Sequence, residues 1–273
     1  MFLLVSACKT NIGKIRNTNE DSLLVNNHSG VFIVADGIGG HKGGEIASEI
    51  ATRVLGEKLS KDLDLVSNIS INKDKVIKDK IKNSINQANN KIIIDGINKS
   101  LEGLGTTVVI VKCYNECLYV ANLGDSRLYL WNKNNRLLKQ VTCDDSLVND
   151  LVKEGKISIE ESKIHSQKNI ITKYLGVPIL FEYDIEKISW KTGDCLLLCS
   201  DGLTNMLTDK EIEEIIYNNF SKDIEIRNQK QNCIHQEICD KLILKANEAG
   251  GYDNITVVFV ENRFIMNKNN YSN

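Results

Sequence analysis

The sequence predicts an α+β domain in which antiparallel strands and helices alternate and pack in layers. Short apolar or alternating runs, bounded by Gly, Asn and Asp, are typical of strands and follow one another through short turns. Longer segments repeat apolar residues at the spacing of an amphipathic helix. The chain has 273 residues, of which 42% are hydrophobic, and it shows no internal repeat or dividing linker. We therefore expect a single domain over residues 1–261.

The N-terminal part is predicted to form strands and then two helices. Phe2–Cys8 and Ser22–Asn26 are predicted strands, and the uninterrupted apolar run Val31–Ala35 indicates a strand buried on both faces. After a glycine-rich turn, apolar residues spaced from Ile46 to Leu59 predict an amphipathic helix. A second helix is predicted from about Asp74 to Ile94, with a solvated face rich in Lys and Asn.

The central part is predicted to form antiparallel hairpins, with strands Thr106–Lys112, Cys117–Asn122 and Arg127–Trp131 joined by turn-like sequences. Helical pieces are expected from Asp144 to Gly176. Asp145 is predicted to cap the first of these pieces.

The C-terminal part is predicted to return to strands and to end in helices and one last strand. Capping boxes at Ser158–Glu161 and Thr208–Glu211 each open a helix. The other expected elements are strands Phe181–Ile188 and Asp194–Cys199, a helix ending near Phe220, a polar surface loop at Ser221–Asn232, a helix over Cys233–Asn247, a strand over Ile255–Val260 and a frayed tail over Asn262–Asn273.

Composition excludes several functional classes. The net charge of −2 and the pI near 6.1 provide no basic surface for nucleic acid or an anionic membrane. No window approaches the roughly 20 apolar residues of a membrane span, and the apolar run in Met1–Cys8 is too short for a secretion signal. The cysteine pair spacings do not match common zinc sites. We expect a cytoplasmic monomer with reduced thiols.

Four short acidic segments, far apart in the chain, each lie beside an apolar strand. Carboxylates at strand ends are costly to bury unless positive charge lies between them. If the four segments converge, they predict a site for hard divalent cations that bind oxygen, and a catalytic rather than structural one because several strands supply it. The segments are Arg16–Asp21, Val34–His41, Cys199–Leu203 and Gly251–Thr256.

The residues suggest how such a site would work. Glu20 and Asp21 cannot both face one ion from a regular strand, so either one is a direct ligand or both act through water. Asp36 precedes Gly37, whose lack of a side chain lets a backbone carbonyl approach a metal. A pair of Mg²⁺ or Mn²⁺ ions would activate water for attack on phosphorus. Arg16 would hold phosphate oxygens, although an Arg near acids is often only a neutralising partner, and Asp-Gly alone more often marks a turn.

Together, these segments resemble the metal-dependent type 2C protein phosphatases, and most closely their compact bacterial branch. The resemblance runs from Gly13 to Val260. Its motifs are Arg-x-x-Asn-Glu-Asp at Arg16–Asp21, Ala-Asp-Gly-x-Gly-Gly-His at Ala35–His41, Gly-x-x-Ala-Ser at Gly44–Ser48, Gly-Thr-Thr at Gly105–Thr107, Asn-x-Gly-Asp-Ser-Arg at Asn122–Arg127, Ser-Asp-Gly-Leu at Ser200–Leu203 and Asp-Asn-Ile-Thr at Asp253–Thr256.

The resemblance implies a central sandwich of two antiparallel β-sheets flanked by α-helices, in the four-layer order α-β-β-α. It also implies two central Mn²⁺ or Mg²⁺ ions and a weaker third. By position, the resemblance implies that Asp36 bridges both ions and that the Gly37 carbonyl is a ligand. Asp201 and Asp253 would complete the shell of one ion, and Glu20 and Asp21 would bind metal-held waters. Arg16 would bind the substrate phosphate, and Asp125 would be a ligand of the third ion.

The sequence departs from the family pattern at a few positions. Ile38 stands where animal relatives carry a His that is proposed to protonate the leaving group, so we expect a metal-bound water to serve instead. His41, nearby in sequence, is expected to cap a helix or lie at the surface. In the segment matching the family's flap, Asp145 replaces a frequent His and Ser166 a frequent Pro.

The resulting expectation is a serine/threonine phosphatase in which a metal-bridging hydroxide attacks phosphoproteins and which opposes a Ser/Thr kinase. One alternative is a catalytically inactive relative that acts as a binding scaffold. Another is a phosphatase for one dedicated regulatory partner, such as a sigma-factor antagonist. Loss of a metal-binding Asp would mark the scaffold, and every matched Asp is present.

Overall fold

Two antiparallel sheets pack face to face in the computed structural model, which describes residues 2–38, 43–61, 72–101, 103–179, 181–226 and 233–264. In the first sheet the strand order is β1 (Phe2–Asn11), β11 (Ile255–Phe264), β10 (Cys195–Cys199), β7 (Arg127–Asn132) and β8 (Leu137–Gln140).

The second sheet has the order β2 (Asp21–Asn26), β3 (Val31–Ile38), β5 (Val108–Tyr114), β6 (Cys117–Leu123) and β9 (Ile185–Ser189), and the short β4 (Gly105–Thr106) pairs with the end of β3. All strand pairs in both sheets are antiparallel.

Helices cover the outer face of each sheet. Apolar residues of α1 (Gly43–Leu59) and α2 (Lys73–Asn98) pack on the second sheet, and those of α6 (Asp209–Ile226) and α7 (Cys233–Glu248) pack on the first. The layers are therefore α-β-β-α, and the predicted fold is confirmed. Three shorter helices lie elsewhere: α3 (Leu147–Lys153), α4 (Ile159–Ile164) and α5 (Asp201–Thr204). Among the described helices, none is both long and apolar enough to cross a bilayer.

The strand β3 shows why its sequence is apolar at consecutive positions. Val31 and Ile33 belong to the core beneath α1 and α2, whereas Phe32 and Val34 belong to the core between the two sheets. Successive side chains of a strand point to opposite faces, and here both faces are covered. The buried strand predicted for Val31–Ala35 is confirmed, and it continues to Ile38.

Several elements end later than the sequence predicted. The strand β11 runs to Phe264 because residues past Val260 continue the pairing with β1, where Asn262 lies opposite Leu4. The expected fraying from Asn262 is therefore wrong up to residue 264, and residues 265–273 lie outside the described part. The helix α6 continues through much of the predicted loop to Ile226, since no Gly or Pro interrupts it, and residues 227–232 are not described.

Candidate active site

The centre of the site is a pair of aspartates on neighbouring strands. Asp21, the first residue of β2, lies directly opposite Asp36 of β3. Directly opposite residues in an antiparallel pair project to the same face of the sheet. Phe32 and Val34, which share that face of β3, line the core between the two sheets. The side chains of Asp21 and Asp36 therefore project between the sheets at one end of the sandwich.

The facing sheet and one hairpin turn bring further acids to the same place. Asp201 begins α5 directly after β10, Asp253 lies just before β11, and Asp125 lies in the turn between β6 and β7. The pKa of Asp36 is raised well above its usual range, first by burial and then by the negative charges of Asp21, Asp201, Asp125 and Asp253. The four acidic segments thus converge, together with the Asp125 turn.

Burial also dominates the ionisation of the neighbouring carboxyl groups. It raises the pKa of Asp21 to about 7 and that of Asp125 to about 8, and nearby carboxylates add to both shifts. The pKa of Asp201 is raised by burial and by the charge of Asp253, while Asp36 and Asn205 lower it. Without cations, the cluster therefore retains protons near neutral pH.

Three carboxylate oxygens of this cluster have no hydrogen-bond partner in the protein. Asp21 Oδ2 accepts a 2.8 Å hydrogen bond from Ser200 Oγ, and Asp201 Oδ2 accepts one of 2.9 Å from Asn205 Nδ2. The Oδ1 atoms of Asp21, Asp125 and Asp201 are buried and have no hydrogen-bond partner. A buried carboxylate oxygen without a partner is costly, and carboxylate oxygens are the ligands that hard divalent cations prefer.

Protein groups alone do not close a metal-binding shell at this site. Among the described residues, no three His, Cys, Asp or Glu side chains lie close enough together to hold a metal ion by themselves. Mg²⁺ and Mn²⁺ use few protein carboxylates and retain several waters. The inventory of separate aspartates with free Oδ1 atoms therefore fits such cations.

The side chains of Glu20 and Asp21 point in different directions, because successive residues at a strand face opposite sides. Asp21 points to Ser200 between the sheets, whereas the Glu20 carboxylate lies against Gly44 at the start of α1. The backbone of Glu20 is held at three points, because its N–H donates to Asn254 Oδ1 and its carbonyl accepts from Gly37 N and Ser48 Oγ. The two acids thus approach the site from different sides.

Gly37 is required by close packing between β3 and α1. A Cβ atom at Gly37 would collide with the backbone of Gly44 and would lie 2.7 Å from the carbonyl oxygen of Glu20. The carbonyl of Asp36 accepts hydrogen bonds from Thr107 N at 2.8 Å and from Thr106 Oγ1 at 2.9 Å. The backbone around the central aspartate is therefore held on both sides.

Arg16 reaches the cluster and forms an ion pair there. Its Nη2 donates to Asp253 Oδ2 at 2.8 Å, and this hydrogen bond raises the pKa of the guanidinium. The other oxygen of Asp253 accepts from the backbone N–H of Asn254 at 2.8 Å. About half of the Arg16 side chain remains in solvent. Arg16 therefore has donors available to a ligand that enters the cleft.

Sequence reasoning did not single out two residues that hold the site together. Asn254 joins the N-terminal segment to β11, because its Nδ2 donates to the carbonyls of Ile12 and Thr18 and its Oδ1 accepts from Glu20 N. Ser200 holds Asp21 and accepts from Thr256 N at 3.0 Å. Both directly adjoin a predicted metal-site Asp and lie within two of the motifs that resemble the family, which are the signals that the sequence carries for them.

Asp145 does not cap a helix, so that prediction is wrong. Ser146 is the N-cap of α3. The Asp145 carboxylate instead accepts from Gly124 N at 3.2 Å and forms an ion pair with Lys173 at 3.2 Å, and its backbone N–H donates to Gly124 O at 2.9 Å. Asp145 thus ties the turn that carries Asp125 to the segment after α4.

The other departures from the family pattern lie apart from these contacts. Ile38 ends β3 opposite Gly105 of β4, and Ser166 is exposed in a turn after α4. Glycines 39 and 40 and His41 lie outside the described residues, so the expectation for His41 stays a prediction.

Both capping boxes are present, since Ser158 pairs reciprocally with Glu161, and Thr208 with Glu211.

This chain is similar to known proteins along most of its length. The family model described as protein phosphatase 2C matches residues 15–237. The serine/threonine phosphatase stp of Listeria monocytogenes is 38% identical over 257 residues, which is 93% of this chain and 94% of that protein. Protein phosphatase PhpP of Streptococcus pneumoniae is 35% identical and covers 92% of this chain and 94% of its own length.

Solved structures show the same fold. The serine/threonine phosphatase PstP/Ppp of Mycobacterium tuberculosis superposes with a TM-score of 0.80 at 30% identity, over 96% of this chain and all of that one. A structure of the catalytic domain of PstP in complex with two manganese ions has a TM-score of 0.78 at 28% identity, over 97% of this chain and all of that one. This chain belongs to the protein phosphatase 2C family and is a protein phosphatase.

Proposed function

We propose that this chain is a metal-dependent phosphatase that hydrolyses phosphoserine and phosphothreonine in proteins. One observation carries the proposal: three buried Oδ1 atoms, on Asp21, Asp125 and Asp201, lack any hydrogen-bond partner within a cluster of mutually repelling carboxylates. Such a cluster is stabilised by divalent cations. The names of the relatives, which are serine/threonine phosphatases, indicate the substrate.

We propose Mn²⁺ or Mg²⁺ as the cations, in two central positions. Asp36 would contact both, with the Gly37 carbonyl, Asp201 and Asp253 as further ligands. Asp21 and Glu20 would act through waters. The manganese pair in the PstP structure supports the number and the type of ion. When bound, two such ions lower the pKa of water and neutralise charge on the phosphoryl oxygens during in-line displacement.

A third, weaker cation position is proposed at Asp125. Its Oδ1 is buried without a partner, and its carboxyl responds electrostatically to Asp201. Its turn is attached through Gly124 to Asp145 and through Ser126 to Thr107. A cation there would be held by fewer protein groups than the central pair, so we expect weaker binding.

The chain's own residues would orient the substrate and control protons. Arg16 would donate to the phosphoryl oxygens from its exposed side while Asp253 limits its movement. Burial and neighbouring charges raise the pKa of Asp36 and Asp201, so cations that bind there would displace protons from these carboxyl groups. Ser200 would keep the Asp21 carboxylate in place throughout.

The cellular setting is also proposed from the sequence and the relatives. We propose a cytoplasmic monomer that acts on the phosphoproteins produced by a Ser/Thr kinase. All the matched acidic residues are present, so no observation favours an inactive scaffold.

The proposal is tested with metal-stripped protein assayed on p-nitrophenyl phosphate and on a phosphothreonine peptide, with and without Mn²⁺. We expect turnover only with metal, and its loss after a chelator is added. Asp240→Asn, which changes an exposed acid paired with Lys9, serves as a matched control and should leave the metal response unchanged. Full turnover without metal would refute the mechanism, and tight Mn²⁺ binding without hydrolysis would support the scaffold.

A further inference from the structure

Two large apolar side chains are left in solvent beside the acidic cluster. Ile15 and Tyr252 are each 63% exposed. Ile15 directly precedes Arg16, and Tyr252 directly precedes Asp253. Single exposed apolar residues are common on protein surfaces, but these two flank the ion pair proposed to face the substrate phosphate.

Hydrogen bonds between the neighbours of Ile15 and those of Tyr252 join the two segments that carry these residues. Lys14 N donates to Gly251 O at 2.7 Å, and Arg16 Nη2 donates to Asp253 Oδ2 at 2.8 Å. Ile15 and Tyr252 occupy the middle position between these two links. They therefore share one rim of the cleft.

This rim is firmly attached to the rest of the molecule. Asn254 Nδ2 donates to the carbonyl of Ile12 at 3.0 Å and to that of Thr18 at 2.9 Å, which brackets the segment that carries Ile15. The edge of the Tyr252 ring lies against Gly250, where a Cβ atom would be only 2.8 Å away. Because neighbouring contacts fix both positions, little ordering entropy remains to be lost when a ligand binds.

We infer that Ile15 and Tyr252 form a binding surface for a large apolar side chain next to the phosphorylated residue of the substrate. The inference rests on the proposed function, because Arg16 must hold the phosphate. Consecutive Cα atoms are about 3.8 Å apart, so a residue one or two positions from the phosphoresidue reaches a rim that adjoins Arg16. The fitting ligand is a phosphopeptide with Leu, Ile or Phe within two positions of its phosphoserine or phosphothreonine.

The test compares two phosphothreonine peptides of equal length and charge, one with Leu and one with Ser at the flanking positions. We expect the wild type to prefer the Leu peptide by about tenfold in kcat/KM, the effect of partly burying one such side chain. Ile15→Ser and Tyr252→Ser should each reduce this ratio severalfold. Hydrolysis of p-nitrophenyl phosphate, which has no flanking residues, should stay within about twofold of wild type, since the proposed metal and phosphate ligands are unchanged.

Ile97→Ser provides a matched control, because Ile97 is 73% exposed but lies on α2. It should leave the peptide preference unchanged. Absence of a Leu preference in the wild type, or an unchanged ratio in both rim variants, would overturn the inference. The affinities of the two phosphopeptides, measured by fluorescence anisotropy, decide the question independently of turnover. Failure of metal-dependent p-nitrophenyl phosphate hydrolysis would instead refute the proposed function.

Discussion

The two ends of the sandwich bury carboxylates in opposite ways. At the catalytic end, Asp21 and Asp201 each have a buried oxygen without a partner. At the other end of β11, about 20 Å away at the rise of a strand, Glu261 is only 5% exposed and accepts hydrogen bonds from His235 Nε2 at 2.9 Å and Arg263 Nε at 2.6 Å. Both ends bury negative charge, but Glu261 is paired with Arg263, whereas the ion pair between Arg16 and Asp253 leaves Asp21 Oδ1 and Asp201 Oδ1 without a partner.

The ionisation of the two ends differs accordingly. Burial alone would raise the pKa of Glu261, but the hydrogen bond from His235 and the charge of Arg263 outweigh it, so the pKa is lowered. Burial and neighbouring acids leave the pKa of Asp36 well above its usual range. Glu261 and Asp36 are therefore both buried, and the charges of their neighbours decide which of the two carboxyl groups is ionised. The catalytic end is arranged for positive charge that comes from outside the chain.

The largest expected effect of a single change is at Asp36. Asp36→Asn removes one negative charge and replaces an oxygen ligand by an amide nitrogen, a poor ligand for hard cations. We expect turnover with Mn²⁺ to fall by on the order of 10³-fold or more. The metal-free protein should stay folded, because the amide is nearly isosteric and, like the carboxyl group with its raised pKa, buries no charge.

Steady-state kinetics, calorimetric titration with Mn²⁺ and thermal melting check this prediction together. Near-normal turnover at ordinary metal concentrations would show that Asp36 is not the central ligand. A large loss of metal-free stability would show that the catalytic end does not differ from the far end.

At the far end, Glu261→Gln should affect stability rather than chemistry. The change leaves His235 and Arg263 without their shared carboxylate in a buried setting, so we expect the free energy of unfolding to fall by about 3 kcal/mol. Activity per folded molecule should stay within about twofold, given the roughly 20 Å separation along β11. Urea unfolding and kcat at 25 °C measure the two quantities. Impaired Mn²⁺ binding in this variant would mean that the two ends are coupled.

The pH dependence of stability should differ in sign between the ends. In metal-free protein, Asp21 and Asp125 keep protons up to about pH 7 and 8, whereas an unfolded Asp releases its proton near 3.9. Stability should therefore fall as pH rises from 5 to 8, by about 1.4 kcal/mol per pH unit for each such group while it is protonated only in the folded state. The lowered pKa of Glu261 acts oppositely, so its stabilisation is lost as pH falls through that pKa.

Thermal melting from pH 5 to 8, with and without saturating Mn²⁺, measures this trend. Cations favour the ionised carboxylates, so added Mn²⁺ should abolish or reverse the decline. A metal-free melting temperature that rises steadily over this range would contradict the raised pKa values at the catalytic end.

The smallest expected effect is that of Asp125→Ala. Because this residue lies on a hairpin turn outside β2 and β3, its loss should weaken only the third ion and lower turnover by about tenfold, which corresponds to about 1.4 kcal/mol. Calorimetry should still show the central pair. Loss of all metal binding in this variant would place Asp125 among the central ligands.

Much of the fold was predictable because local patterns and tertiary packing agree. In strand β3 and in helices α1, α2 and α7, the apolar residues whose spacing predicted the element are the ones that pack in the cores of the folded protein. The short strand β8 and the four-residue α5 were not predicted. Their few residues carry too little pattern, and β8 is held at the edge of the sheet by a hairpin pairing with β7.

The convergence of the acidic segments was also predictable, since carboxylates at buried strand ends need positive charge nearby, and one shared cation site can supply it. The contacts of Asp145 were not. Its sequence neighbours favour a helix cap, but its carboxylate binds Gly124 N and Lys173 instead. These residues lie 21 and 28 positions away and come close to Asp145 only in the folded chain. Nor does the sequence indicate that Asn254 holds the N-terminal segment through three hydrogen bonds.

The position of β11 has a consequence for synthesis on the ribosome. This strand follows all the other described strands along the chain, yet it lies between β1, which precedes them, and β10. Until it emerges, β1 cannot pair in its sheet, and Asp253 and Asn254 are missing from the cleft. A nascent chain therefore has neither a complete first sheet nor a complete cleft. Phosphatase activity should appear abruptly, when translation has passed residue 264 and the strand has left the exit tunnel.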